Sequence, residues 1–455
     1  MKFPGTPLLN EFYSITKNFG DLKHLEKVLN LSSKMDFKKE DIESWVKEPI
    51  ESFTSGEGTN KGDNVASEIL RIQVKTISGK EHTLVYKRFP ETIEGQGNFA
   101  VEMKIFWKEN RFYETIAPAI ESSVAQRLLQ INSSNQKLTL PIPKFYAGFN
   151  NDQDDYVCLG DLRPEGFKMP DKKIGLDLAQ MTLAMSKIGE FHALSYFYLR
   201  EAGEGIFQDG LNNLFFVKQW LVPSDTGDAE VEKAQRAGLS GIITETYKNS
   251  IELVREHGLG PDREKLAFRM LGKENVTLNK AYQITSSTTS NTDGKYFPLI
   301  IHGDFWLNNV LFSYDEEGQP KDMKIVDFQF TRRGNIYEDL NYFVFTSTTV
   351  EFRKGNLVRT LQAYYDSFAK TLSQLKCPLP VGFTRGKFID GFFENIVPAY
   401  LFLAFALPLQ VGAEGEDPEV SADLPSRLRW KMERSPLAIL RMEEAAREMI
   451  DMGFL

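Results

Sequence analysis

Cysteine is scarce in this sequence: 455 residues contain two, Cys158 and Cys377. Two thiols make neither a disulfide framework nor a cysteine metal cluster, and they fit a reducing compartment. Positive charge is also in deficit, with 54 Lys and Arg against 63 Asp and Glu, a net charge of −9 and a pI near 5.4. That balance lacks the basic footprint expected of a nucleic-acid partner. No apolar run is long enough to cross a bilayer. The longest, Ile396 to Leu409, carries Pro398 and Pro408 and reads as a buried helix. The opening Met1-Lys2-Phe3-Pro4-Gly5 is not followed by an apolar signal core, so secretion is not expected and a cytoplasmic location is. There is no internal repeat, no low-complexity tract and no G-x-x-x-x-G-K-[ST] motif, which excludes a P-loop. Of five histidines, His24, His82 and His257 sit in polar contexts and read as solvated surface groups.

What is present is enough apolar material for a large core, 42% hydrophobic residues, in a chain too long for one compact unit, so two lobes are expected. The chain is organised around residues 299–345. Leu299-Ile300-Ile301 reads as a short buried strand, broken by His302-Gly303-Asp304. Asn309 follows five residues after Asp304, and Val310-Leu311-Phe312 returns to strand. The polar segment Asp315 to Pro320 is a turn, and Met323 to Val326 runs back to Asp327-Phe328-Gln329. Such a hairpin brings Asn309, at the start of one strand, near Asp327, at the end of the other. A carboxylate beside an amide oxygen suits Mg²⁺, which prefers hard oxygen ligands and shares its shell with phosphate. Asp304 is then left to orient and deprotonate an attacking hydroxyl. Asp-x-x-x-x-Asn followed by Asp-Phe is a phosphoryl-transfer layout: base, metal Asn, metal Asp. The alternative is that Asp304 and Asn309 merely cap a loop and Asp327 ends a hairpin.

The segment HGDFWLNNVLF followed by VDFQ resembles the ecdysteroid kinase-like family. This is a branch of the kinase-fold small-molecule phosphotransferases that includes choline kinases and aminoglycoside phosphotransferases. His302-Gly303-Asp304 stands where protein kinases have His-Arg-Asp, and Gln329 stands where they have Gly. The resemblance extends over roughly residues 40 to 450.

The earlier chain is read in the same terms. Residues 1 to 45 have helical spacing (Leu8, Phe12, Ile15, Phe19) and form an N-terminal extension. Residues 53–64 are rich in Gly and small polar side chains, and they lead into alternating strands at 70–75 and 83–87. KGDNVAS resembles the family's nucleotide-loop segment, which makes Gly62 a phosphate-loop candidate. Lys87 ends an apolar strand, as a phosphate-binding lysine does, and needs a carboxylate to hold it. Glu109, in F-x-x-E-x-x-F-Y, matches the family's ion-pair glutamate, with Glu102 and Glu114 on the same expected helix. Leu159 and Gly160 match the inter-lobe hinge, where backbone groups face adenine; Gly160 stands where the family usually carries Glu. His192 in Phe191-His192-Ala193 reads as a core histidine, His302 as a fixer of the loop backbone, and Asp339 as a brace beneath the loop.

These readings give an α+β, two-lobed protein-kinase-like fold: an extension at 1–45, a small β-rich N-lobe at 46–160 that binds nucleotide, and a large mainly helical C-lobe at 161–455. The resemblance implies ATP- and Mg²⁺-dependent transfer of the γ-phosphoryl group to an alcohol of a small molecule, such as an ecdysteroid-like hydroxylated steroid or another lipophile. Asp304 is the expected base, Asn309 and Asp327 the metal ligands, and Lys87 with Glu109 the phosphate contact. The alternatives are choline or ethanolamine kinase-like activity, with Trp306 and Tyr342 toward an aromatic cage, and a binding protein on an inactive kinase scaffold.

Overall fold

The computed structural model describes residues 37–58, 67–88, 104–133, 135, 137–151, 154–203, 239–271, 276–277, 279–281, 296–297, 299–415 and 423–454. The expected helices before residue 37, the candidate Gly62, Glu102 and His24 lie outside them. The chain divides into two compact units, Met1–Phe53 with Lys75–Lys80, and Thr54–Val74 with Glu81–Leu455.

The first unit holds α1 (Lys39–Val46), where Phe37 packs on Trp45 and Phe53. The Asp41 carboxylate accepts the Lys38 N–H at 2.7 Å and closes the first turn. The turn at 75–80 is fastened to the chain after α1 by the Ile77 N–H on the Pro49 carbonyl (3.0 Å) and by Lys80 on Glu48 (2.9 Å).

The β-rich part comprises β1 (Ile50–Glu57), β2 (Glu68–Thr76), β3 (Glu81–Arg88), β4 (Phe145–Phe149) and β5 (Tyr156–Gly160) in the order β1-β2-β3-β5-β4. Between β3 and β4 run α2 (Ile105–Arg111), a π turn (Phe112–Ile116) and α3 (Ala117–Gln130). β3 pairs antiparallel with β5, setting Lys87 opposite Val157. Asn110 ties α2 to the β4–β5 hairpin, its amide donating to the carbonyls of Phe149 (3.2 Å) and Tyr156 (2.9 Å). His82 is buried, not solvated as its neighbours in sequence suggest: β3 turns it inward, and its ring lies 3.1 Å from the Tyr146 hydroxyl.

The remainder is mainly helical: α4 (Leu178–Ala202), α5 (Leu239–His257), α6 (Arg263–Met270), α7 (Ile336–Ser347), α8 (Val350–Gln374), α9 (Arg385–Glu394), α10 (Val397–Val411), α11 (Leu424–Glu433) and α12 (Pro436–Asp451). Among the described residues two small sheets interrupt it, β6 (Leu299–Ile301) with β9 (Arg332–Gly334), and β7 (Val310–Tyr314) with β8 (Pro320–Ile325). This is the α+β, two-lobed arrangement: a β-rich N-terminal part and a helical C-terminal part.

α4 starts at a capping box in which Asp177 accepts the Gln180 N–H and Gln180 accepts the Asp177 N–H. It packs along α8, and Gly189 permits the close approach, since a Cβ there would lie 2.8 Å from the Tyr364 carbonyl oxygen. Ser195 of α4 fastens β6, its hydroxyl donating to the Ile300 carbonyl and accepting the Ile300 N–H, both at 3.1 Å. α10 is buried over most of its length. No single helix among the described residues is long and apolar enough to cross a membrane; α9 and α10 pass that test only as a pair, bent by 60°.

Candidate functional site

The site grows from the loop after β6. His302 is fully buried and points its ring across to the other arm of the hairpin: Nε2–H donates to the Val326 carbonyl at 2.9 Å, and Nδ1 accepts the Asp304 N–H at 3.2 Å. Those two bonds fix one neutral tautomer. Burial accordingly lowers the His302 pKa, against the pull of Asp339. Gly303 has φ +81°, and a Cβ there would lie 2.2 Å from the Phe330 carbonyl oxygen and 2.3 Å from the Arg332 guanidinium. That is the physical reason for a glycine between His302 and Asp304.

Underneath lies α7. Its Asp339 accepts the N–H groups of His302 (2.7 Å) and Gly303 (2.8 Å) and meets His192 Nε2 at 3.1 Å. His192 also meets the Tyr364 hydroxyl at 2.9 Å, a core histidine with both ring nitrogens engaged. Burial alone would raise the Asp339 pKa, but the hydrogen bond and charge of His192, the charge of His302 and the Gly303 N–H hold it below the ordinary value. α7 begins at Asn335, whose side chain accepts the Tyr337 N–H at 2.9 Å, and Glu338 accepts the Asn335 N–H in return. Glu338 also pairs with buried Arg332 at 2.5 Å, and Arg332 reaches back to the carbonyls of Phe330 and Gly303.

Above this foundation stands Asp304, 8% exposed. The Asn309 amide donates to the Asp304 carbonyl (2.9 Å) and to its carboxylate (3.2 Å), which turns the amide oxygen of Asn309 away from Asp304. Burial pushes the Asp304 carboxyl up to about 7, with the charge of Asp327 adding; hydrogen bonds from Tyr342 and Asn309 and the charge of Lys87 oppose the rise. The β7–β8 hairpin then does what its register dictates. Val310 pairs with Ile325 and the Val326 N–H donates to the Asn309 carbonyl at 3.0 Å, so Asp327 follows directly beside Asn309. Asp327 leaves the strand in the left-handed region, φ 67° and ψ 60°, a conformation that costs energy for a non-glycine residue and concentrates at working sites.

Lys87 and Glu109 arrive from the sheet and α2. The Lys87 ammonium lies 2.7 Å from Glu109 and 2.5 Å from Asp327, with the Gln329 amide oxygen at 3.5 Å. Burial works against its charge, but the two carboxylates outweigh it and hold the Lys87 pKa above the ordinary lysine value. Burial raises the pKa of Glu109, the charge of Lys87 opposing. Glu114, on the same run of helix, is exposed. The π turn carries Phe112 and Tyr113 onto Phe328, Phe112 stacking at 3.8 Å between centroids, which seats the Asp327-Phe328-Gln329 segment under α2.

At the end of β5, the Gly160 N–H donates to the Lys144 carbonyl (2.8 Å) and Leu159 pairs with Val85. The open space around Gly160, 3.6 Å to the nearest atom from a Cβ, does not itself demand glycine. The next residue does the bracing: buried Asp161 pairs with Arg71 of β2 at 2.8 Å and with Arg163 at 3.1 Å.

The structure therefore brings Asp304, Asn309, Asp327, Lys87 and Glu109 into one connected cluster and places Leu159 and Gly160 on β5. Reading the sequence missed Gln329, Arg332 and Arg71 as parts of this assembly and gave Tyr342 a different task. The i, i+3 spacing of Asp339 and Tyr342 on α7 is the signal that links them, since both face the same loop. Tyr342 stacks on Trp306 (6.3 Å, 9° between planes) and packs on Phe402 at 5.0 Å.

A lysine on a β-sheet, a glutamate on the following helix, and a loop and hairpin carrying two aspartates and an asparagine thus stand together on a kinase-like fold. The chain belongs to the ecdysteroid kinase-like family, which it matches over residues 61–377. Solved structures similar to it include an aminoglycoside 2'-phosphotransferase mutant in its GDP complex (12% identity, 81% of this chain and 90% of that chain, TM-score 0.34). Amicoumacin kinase in complex with AMP-PNP, Ca²⁺ and Ami is another (12% identity, 95% and 99%, TM-score 0.32). A third is a Streptomyces rimosus aminoglycoside phosphotransferase in complex with ADP and streptomycin (11% identity, 72% and 90%, TM-score 0.26). No curated protein matches the chain.

Proposed function

We propose that this protein is an ATP- and Mg²⁺-dependent kinase that transfers the γ-phosphoryl group to an alcohol of a hydroxylated steroid or similar lipophilic small molecule, in a reducing compartment. The family supplies the expectation of an ecdysteroid-like acceptor. The observation that carries the reading is the convergence of Asp304, Asn309 and Asp327 from one loop and hairpin onto the place reached by Lys87.

The donor set fits a divalent cation. Among the described residues no group of three or more His, Cys, Asp or Glu could hold a metal ion, so a cation would rely on phosphate oxygens for most of its shell, as Mg²⁺ commonly does. The Lys87 ammonium already stands 2.5 Å from Asp327, which marks the face of that carboxylate where positive charge is stabilised. Asp327 and the amide oxygen of Asn309 would hold the ion, and when bound it would neutralise charge on the phosphate oxygens. Lys87, steadied by Glu109, contacts the nucleotide phosphates. Asp304 accepts the proton of the acceptor hydroxyl, and its pKa near 7 suits a base at neutral pH. The end of β5 at Leu159 and Gly160 borders the adenine.

Choline kinase-like activity has less support: Trp306, Tyr342 and Phe402 bury one another and are each at most 9% exposed, so they do not form an open cage for an ammonium group. An inactive scaffold has no need of Lys87, Asp304, Asn309 and Asp327 together. The test is mass-spectrometric detection of product after incubation with Mg²⁺ and ATP and a panel of hydroxylated steroids, choline and glycosides. The expected result is a steroid heavier by one phosphoryl group; ATP binding with no phosphorylated alcohol in the panel would count against the proposal.

A further inference from the structure

Three side chains close a ring at the proposed cation position. Lys87 donates to Asp327 Oδ1 at 2.5 Å, Gln329 Nε2 donates to Asp327 Oδ2 at 3.1 Å, and Lys87 reaches Gln329 Oε1 at 3.5 Å. Gln329 is 8% exposed and lies in the short 3-10 turn that follows the left-handed Asp327. Both oxygens of the Asp327 carboxylate are thus held, one by a charge and one by a neutral amide. A carboxylate held only by Lys87 could rotate about its terminal bond and fold fully against the ammonium. The amide of Gln329 prevents that by keeping Oδ2, so Oδ1 is the oxygen that can change partners.

We infer that Gln329 is a positioning residue that fixes the rotation of the Asp327 carboxylate and makes cation binding an exchange at Oδ1: the divalent ion takes the place that Lys87 occupies once nucleotide phosphates draw the ammonium away. A glycine at this position has no side chain to do this. The inference rests on the kinase reading and adds a residue and a binding order to it. With Lys87 covering Oδ1, the cation alone binds poorly, and nucleotide and cation bind with positive linkage.

The test is calorimetric titration of ATP into the full chain, with Mg²⁺ and with EDTA, for the wild type and for Gln329→Met and Gln329→Leu. Methionine keeps the length of the side chain, loses the donor to Asp327 and adds no charge; leucine is shorter as well. The expected result is a Mg²⁺-dependent tightening of ATP binding, the ratio of affinity with Mg²⁺ to affinity with EDTA, reduced by about 10–100-fold in both variants, the range seen for residues that orient metal ligands. Thermal melting of each variant checks that it folds. Should Gln329→Leu not fold, Gln329→Met decides. Wild-type linkage retained in Gln329→Met would overturn the inference, since shape alone would then account for the residue. Absence of ATP binding, or of Mg²⁺ linkage, in the wild type would instead overturn the kinase reading, and the inference with it.

Discussion

Asp339 and Asp304 lie on either side of the His302–Gly303 turn, both buried, and the fold holds them in opposite ways. Asp339, 1% exposed, receives two backbone N–H groups and a histidine, and its carboxyl stays below the ordinary value. Asp304 receives the Asn309 amide and the Tyr342 hydroxyl and faces the charge of Asp327, and its carboxyl rises to about 7. Burial acts on both; the number and charge of the partners decide the outcome. A buried carboxylate surrounded by donors is a brace. One left short of donors beside a like charge is available for proton transfer, at a cost in stability. The comparison predicts that the two residues separate cleanly under mutation, one governing turnover and the other folding.

The largest effect is expected at Asp304. Asp304→Asn should lower phosphoryl transfer by about 10²–10⁴-fold while ATP still binds with its Mg²⁺ dependence, measured as steady-state turnover beside nucleotide titration. Next comes the brace. Asp339→Ala leaves the His302 and Gly303 N–H groups and His192 without their shared acceptor, and should destabilise the fold by about 3–5 kcal/mol, as breaking a buried charged network does. The check is the shift in denaturant midpoint at unchanged slope. Smaller still is Gly303→Ala. The required φ of +81° and the contact with the Phe330 carbonyl should cost about 1–3 kcal/mol and move the loop that carries Asp304, so stability and turnover should fall together.

The smallest effect is a pH dependence. His302 is held neutral, its folded pKa lying below 6.5, so the unfolded chain binds the extra proton as pH falls. Its contribution to stability is therefore complete above about pH 6.5 and is lost progressively below it. Asp339, with a depressed pKa, keeps its contribution until much more acid conditions. Melting temperatures at pH 7.5 and 5.5 should differ more for the wild type than for His302→Gln; an equal difference would remove His302 from the account.

How much of this could be read from the letters varies with the range of the interaction. The β7–β8 hairpin was legible because two short apolar runs flank a polar turn and its register is local; that register alone sets Asn309 beside Asp327. The helices α4, α8 and α12 follow from apolar spacing and from capping residues such as Ser435 before Pro436, and α10 from an unbroken apolar run. The π turn at Phe112–Ile116 was not legible, since one widened turn leaves no mark in composition, yet it carries Phe112 and Tyr113 onto Phe328. Arg71 with Asp161 pairs through tertiary approach, and Arg332 with Glu338 across the turn from β9 into α7, a six-residue spacing that no helix or strand rule announces. His82 was misread for the same reason, because polar neighbours on an alternating strand say little about the face to which the histidine itself turns. Gly303 was visible as a departure from His-Arg-Asp, but its cause, the Phe330 carbonyl and Arg332 pressed against it, lies 27 and 29 residues further along the chain.

The most direct measurement is a thermal melt of Asp304→Asn beside Asp339→Asn, each paired with its turnover. If Asp304 is a strained base and Asp339 its support, the first variant melts at or above the wild-type temperature with transfer lowered by about 10²–10⁴-fold, and the second melts well below it. A fall in melting temperature for Asp304→Asn as large as that for Asp339→Asn, with turnover retained, would contradict the account, because it would make both aspartates braces.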